Sequence, residues 1–193
     1  MKVIILQQFL LKDEYSKKLK ELGVNYIDIN IDKGGTNPLK DLNTLYCFNK
    51  IYKASSYDVV LNFTPKNNIY STLSAKFNNI KVINNIAGLG VLFINDSIPS
   101  KLARLLYKIS HRKVDKVFFQ NEDDRILFLE NKLAKEYITD RLPGSGADLS
   151  RFKISPSIDD GVVRFLLIAR MLYDKGIGHY VDAARELKAK VWS

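Results

Sequence analysis

A chain of 193 residues with 46% hydrophobic and 26% charged side chains has the composition of a globular protein and enough length for one large core, or one domain and a piece of another. Its net charge of +9 suits nucleic acid, an anionic membrane surface or an anionic substrate, and does not choose among them. A single cysteine, Cys47, excludes an internal disulfide; no segment has the uncharged length of a membrane span, and the opening MKVIILQQFLLKDEY is split by glutamines with no small-residue cleavage site after it.

In chain order, Val3–Leu6 is a short apolar run. DEYSKKLKELG follows as a helix, with acidic residues first, basic ones after, and Gly23 as its stop. VNYIDI (Val24–Ile29) alternates like a strand, KGGTNP is a loop, and Asn37-Pro38 opens a helix with Leu42, Leu45, Tyr46 and Phe48 on its apolar side. Cys47 in that stretch reads as a small core side chain. The alternation goes on with strand Asp58–Phe63, helix Asn67–Phe77, strand KVINNI and loop AGLG. Helix SKLARLLYKISHR, strand DKVFFQ, helix NEDDRILFLEN and strand KEYITDR complete it. Strands separated by helices predict a parallel sheet covered on both faces, an α/β Rossmann-like domain. LPGSGADLSRFKISPSIDDG then breaks the rhythm as a linker does, and VVRFLLIA begins a second domain as a buried strand before the helix DKGIGHYVDAARELKAK.

Three glycine pairs, at Gly88/Gly90, Gly144/Gly146 and Gly176/Gly178, begin a dinucleotide fingerprint, but Phe93, Leu149 and Val181 stand where its third glycine belongs. Arg170 at a strand end and Lys175 at the start of the next helix suit a diphosphate, and suit a surface Arg–Asp174 pair with a solvated lysine equally well. In NEDDR, Asn121 reads as a helix N-cap with acidic residues in the first turn, rather than part of a metal motif. His111 and His179 have no second ligand at metal spacing and read as packing or surface residues. Leu102, Leu105, Leu106 and Ile109 form one helical stripe, with Lys101, Arg104, Lys108 and Arg112 towards another face. That pattern leaves two readings open: a helix lying on an anionic membrane, or a domain helix with its leucines in the core.

Arg170–Gly176 with the helix after it resembles the start of the C-terminal domain of family-four glycosyltransferases, retaining enzymes of GT-B fold. GSGADLSRF (Gly144–Phe152) is similar to the segment joining their domains. PKNNIYSTLSAKFNNIKVINNIAGLGVLF (Pro65–Phe93) resembles the acceptor domain of the branch that acts on lipid-linked sugars in capsule, O-antigen and glycan assembly. There are departures. Lys12 stands where a glutamine is common, no glycine-rich loop accompanies Met1–Leu6, and the family's E-x7-E region is not found before Ser193.

The resemblance implies an acceptor-side Rossmann-like domain over 1–142, a linker over 143–161 and the start of a nucleotide-sugar-binding domain over 162–193, truncated at both ends and inactive alone. The intact relative would transfer an N-acetylated or uronic sugar from a UDP donor to a lipid-linked saccharide, without metal or cofactor. Arg170 and Lys175 would bind the donor diphosphate, and Gly88, Gly90 and Gly146 would bring backbone to the cleft. A cytoplasmic protein, peripheral on the cytoplasmic membrane face, is implied. The rival is a non-catalytic fragment or a domain binding an acceptor or partner. A nucleic-acid-binding module finds no motif to support it.

Overall fold

The computed structural model describes residues 4–7, 17, 19, 21–29, 31, 37–89, 96–144, 146–156 and 160–191, within two compact units, Met1–Gly146 and Ala147–Ser193. In the first unit, β1 (Ile4–Gln7) and β2 (Asn25–Asp28) pair in parallel. A second parallel sheet holds β3 (Val59–Asn62), β4 (Lys81–Ile86), β5 (Lys116–Phe119) and β6 (Thr139–Arg141) in sequence order. Lys17, Leu19 and Glu21 are helical, and the N–H of Val24 closes on the Leu19 carbonyl at 3.0 Å with Gly23 at φ 68°, where the sequence predicts that helix to stop.

Helix α1 (Pro38–Ala54) starts where Asn37 accepts from the N–H groups of Leu39 and Lys40 at 3.0 and 3.4 Å, with proline in the first turn, where its missing N–H costs nothing. Its buried face is Thr44, Phe48 and Tyr52, one turn apart, so Leu42 and Tyr46 point outward and the apolar side is rotated from the predicted one. The predicted helix Asn67–Phe77 begins instead as a π-turn (Asn67–Ser71) and continues as α2 (Thr72–Phe77). Helix α3 (Ile98–Ser110) is capped by Ser97, whose hydroxyl accepts from the Ser100 N–H at 3.3 Å. Helix α4 (Glu122–Glu130) is capped by Asn121, which accepts from the Asp124 N–H at 2.8 Å, with Glu122, Asp123 and Asp124 in the first turn as predicted. The predicted strand KEYITDR is half 3₁₀ turn (Glu136–Ile138) and half β6.

Strands joined in order by right-handed crossovers place their helices on one face. Val82, Asn84, Ile86, Val117 and Phe119 line that face and are buried, whereas Val59 and Leu61 on the opposite face are 43% and 56% exposed. Phe119, Phe128, His111 and Tyr107 stack edge-on and in parallel at centroid distances of 5.2–5.6 Å. Burial of each of the two phenylalanine rings contributes about 2 kcal/mol.

The second unit departs from the predicted pattern. Val162–Ala169 was expected as a buried strand, but among the described residues it pairs with no other strand, and Val163, Leu166 and Ile168 are 77%, 81% and 86% exposed. A strand exists through its neighbours' hydrogen bonds, and the described residues of this unit supply no such neighbour. The segment is tied down by Tyr180, whose hydroxyl donates to the Phe165 carbonyl at 2.8 Å. A 3₁₀ turn (Tyr173–Lys175), Gly176 and α5 (Ile177–Val191) follow.

Candidate functional site

In a parallel sheet, the carboxyl ends of the strands meet the amino ends of the following helices, and ligands bind along that edge. In the first unit this edge carries the start of α1, the π-turn after β3, the loop after β4 and the caps of α3 and α4. Asp41, in the first turn of α1, pairs with Lys66 at 2.7 Å. The Tyr70 phenol is pushed up by burial and by its hydrogen bond to Asp41. Gly88 follows β4 on this edge; Gly90 lies outside the described residues. Gly146, at φ 70°, closes the first unit in a left-handed conformation that favours glycine, and a Cβ there would meet nothing within 4 Å.

Behind the edge lies a polar core. The Asn62 amide donates to Asn84 Oδ1 at 2.9 Å, and the Thr72 hydroxyl donates to the same oxygen at 3.1 Å. Asn84 Nδ2 lies 3.1 Å from the Asn68 carbonyl, 3.0 Å from Thr72 Oγ1 and 3.0 Å from His111 Nε2. His111 Nδ1 donates to the Tyr107 carbonyl at 3.0 Å, which leaves Nε2 to accept from Asn84 and fixes a neutral ring. Burial lowers the His111 pKa to about 4, against the smaller opposing effect of the Tyr107 carbonyl. His111 is thus a packing residue, as the sequence suggests. Asn62, although it heads the sequon Asn62-Phe63-Thr64, is buried by the same bonds. Asn95, which heads the other such triplet in the sequence, Asn95-Asp96-Ser97, lies outside the described residues.

Among the described residues, the side-chain oxygens buried without a partner are Oδ1 of Asn67, Asn68 and Asn85. Leaving a buried acceptor unsatisfied costs about 1–3 kcal/mol. These asparagines escaped the sequence reading: NNIYSTLS shows amides and hydroxyls in a helical stretch, but not which of them face the core, and Asn85 lies on a separate strand.

The pattern in α3 resolves one of the two open readings. Ser100, Tyr107 and Ser110 face the core, while Ile98, Leu102, Leu105 and Ile109 are 83%, 45%, 53% and 43% exposed. The leucine stripe faces outward, so the ordinary core-helix reading is overturned for Leu102, Leu105 and Ile109; only Leu106 packs against the core. The inward serines are satisfied locally, Ser100 by the Ser97 hydroxyl at 2.9 Å and Ser110 by the Tyr107 carbonyl at 3.1 Å. Lys101, Lys108 and Arg112 are exposed beside the stripe, and Arg104 is paired with Asp96 at 2.5 Å.

In the second unit, Arg170 and Lys175 fall within one tight bend. The Leu172 N–H donates to the Arg170 carbonyl at 2.7 Å and the Lys175 N–H to the Leu172 carbonyl at 3.1 Å. Lys175 Nζ lies 3.8 Å from Asp174, and both side chains are partly exposed. Gly176, at φ 74°, ends the 3₁₀ turn in the left-handed region and redirects the chain into α5, whose first bond runs from the Tyr180 N–H to the Gly176 carbonyl at 3.0 Å. Two cations therefore precede the open amino end of a helix, where N–H groups lack intrahelical acceptors. Among the described residues, no group of three or more His, Cys, Asp or Glu side chains has metal-binding geometry. No described helix is long and apolar enough to cross a membrane.

This chain is similar to an N,N'-diacetylbacillosaminyl-diphospho-undecaprenol alpha-1,3-N-acetylgalactosaminyltransferase of Campylobacter jejuni, at 27% identity over 93% of this chain and 52% of that protein. It thus spans about half the length of the curated relative it matches. Its fold is similar to that of HepE from Anabaena, crystallised with UDP and glucose, with a TM-score of 0.54, 12% identity, and coverage of 81% of this chain and 47% of HepE. It is also similar in fold to a UDP-N-acetylglucosamine 2-epimerase from Rickettsia bellii, with a TM-score of 0.50, 15% identity, and coverage of 73% and 44%. The fold is therefore the α/β one that the alternation of strands and helices predicts, and it is GT-B-like, as the resemblance implies. A family model described as glycosyl transferase 4-like matches residues 7–121, more than half of the sequence, and the chain belongs to that family.

Proposed function

We propose that this chain is part of a glycosyltransferase that moves a sugar from a UDP-linked donor to a lipid-linked saccharide, the first unit meeting the acceptor and the second the donor's diphosphate. The observation that carries the donor half is the bend in which Arg170 and Lys175 precede the amino end of α5. Cations and helix N–H groups there stabilise the negative charge that builds on a departing diphosphate, which is electrostatic catalysis without a metal. The acceptor half is supported by the Campylobacter relative, whose name specifies a diphospho-undecaprenol-linked sugar. A UDP-linked donor accords with the UDP bound to HepE. Gly88, Gly90 and Gly146 are the positions at which backbone would approach the cleft.

Calorimetric titration with UDP tests the donor half. Weak binding to the chain and its loss in the Arg170→Gln, Lys175→Gln double variant are expected. Equal binding by both proteins removes those residues from the donor site.

A lipid-linked acceptor would be met at a membrane surface, and this reading is supported by the exposed stripe Ile98, Leu102, Leu105, Ile109 with Lys101, Lys108 and Arg112 beside it, which has the chemistry of an interfacial helix. Replacing Lys101, Arg104 and Lys108 with glutamine is expected to reduce sedimentation with phosphatidylglycerol vesicles. Undiminished sedimentation would exclude an electrostatic membrane face on α3.

A further inference from the structure

We propose that Asp41 and Lys66, paired where two helices start at the carboxyl edge of the sheet, form a subsite that reads two adjacent hydroxyl groups of the acceptor's sugar; it rests on the reading that the first unit meets a saccharide acceptor. Asp41 stands in the first turn of α1, and Lys66 stands at the start of the helical segment that leaves β3. The fold joins them across 25 residues of chain, with Lys66 Nζ 2.7 Å from Asp41 Oδ1. Both side chains are withdrawn from water but not sealed, at 18% and 16% exposed. The buried Tyr70 phenol bonds the same carboxylate. Burial and that bond keep the phenol protonated, so its hydroxyl donates to Asp41.

Stability gives little reason for the pair, because desolvating both charges offsets most of their attraction. Its unspent bonding capacity exceeds what it uses. An ammonium has three donors and a carboxylate about four acceptor sites. Among the described residues the ammonium's partner is Asp41, and Lys66 and Tyr70 together leave part of the carboxylate free. What remains suits a neutral ligand better than an anion. Opposite charges 2.7 Å apart cancel within a short distance, so a diphosphate gains little from their field, unlike the unbalanced cations Arg170 and Lys175. A hydroxyl needs no net field. It donates to the carboxylate and accepts from the ammonium, through charge-assisted bonds stronger than neutral ones. Donor and acceptor also lie about as far apart as neighbouring hydroxyl oxygens on a pyranose ring, so one diol engages both.

The test compares farnesyl diphosphate with farnesyl diphospho-N-acetylglucosamine, each titrated calorimetrically into the chain. The glycosylated probe is expected to bind about fivefold tighter, and Asp41→Asn or Lys66→Met to remove most of that preference, an effect of the size of one or two hydrogen bonds. The ratio is taken within each variant, so a smaller folded fraction cancels. Should Lys66→Met fail to fold, the nearly isosteric Asp41→Asn supplies the reading. The exchange Asp41→Lys with Lys66→Asp keeps an ion pair between the two helix starts, and is expected to keep thermal stability while the preference stays lost. A pair that serves only as a tether would restore the preference in the exchanged protein, and that result overturns the subsite. So does a preference unchanged in the single variants. No preference in the unaltered chain overturns the subsite and the acceptor reading together, which separates that failure from failure of the subsite alone.

Discussion

The two units carry apolar runs that look alike in sequence and fare differently in structure. KVFF of β5 and VVRFLLIA of the second unit are both short, branched and aromatic. In β5, Val117 and Phe119 are sealed between β4, β6 and the helix layer, and Phe128 closes over them. Val163, Phe165, Leu166 and Ile168 have no strand beside them among the described residues and are left in water. An apolar run is thus a necessary condition for a buried strand, and the neighbouring ladder is the sufficient one. The difference lies in the partners.

The contrast is tested most strongly by truncation. Phe128→Ala is expected to destabilise the first unit by about 3–5 kcal/mol, the range for emptying a buried ring, while Phe165→Ala leaves thermal stability within about 0.5 kcal/mol of the original. Chemical denaturation of both variants measures this. Equal losses would mean that Phe165 is packed in solution and that the comparison fails.

Acid separates the units next. The unfolded chain protonates a histidine near pH 6.5, whereas folded His111 resists until about 4. The unfolded state therefore binds the extra proton, and stability of the first unit falls as pH drops from about 6.5 to 4, by roughly 3 kcal/mol over that window. Above it, His111 contributes no pH dependence. Denaturation across this range should show the slope, and His111→Gln should flatten it. His179→Gln, in the second unit, is the matched control, because it removes a histidine without touching the bonds around His111.

The smallest effect concerns a helix end. Asn121→Ala removes the oxygen that accepts from the Asp124 N–H and is expected to cost about 1 kcal/mol, read from the same denaturation curves. Asn121→Ser should restore most of it.

The elements most legible in the sequence were those governed locally. Asn37-Pro38 and Asn121 announced their helices because a cap needs only the residues of one turn. Gly23 likewise marked a stop through its own backbone angle, whereas Gly176, inside the expected helix DKGIGHYVDAARELKAK, instead separates a 3₁₀ turn from α5. Helix orientation was less legible. The face of α1 turned from Leu42 and Tyr46 to Thr44, Phe48 and Tyr52 because Tyr52 gains the Ser71 hydroxyl at 2.6 Å, a partner distant in sequence. Helix α3 turned its leucines out for a similar reason, since Tyr107 and Ser110 have the His111–Asn84 network to join. The cationic pair Arg170 and Lys175 was visible from spacing, but the buried asparagine network was not. Its identity depends on β4 lying beside the π-turn, and no window of sequence contains both.

The amides and hydroxyls between the sheet and its helices have a thermal consequence. Exposing apolar surface on unfolding raises the heat capacity, while exposing polar surface lowers it. Asn62 and Asn84 occupy strand positions that in an ordinary parallel sheet are taken by valine and isoleucine, and Asn68, Thr72 and His111 face them, buried, from the helix layer. The heat-capacity increment of the first unit is thereby reduced, and its stability varies less steeply with temperature than that of an all-apolar interface of equal size. The same asparagines that specify the packing flatten the curve, so cooling weakens this core less than it weakens one built of hydrocarbon alone.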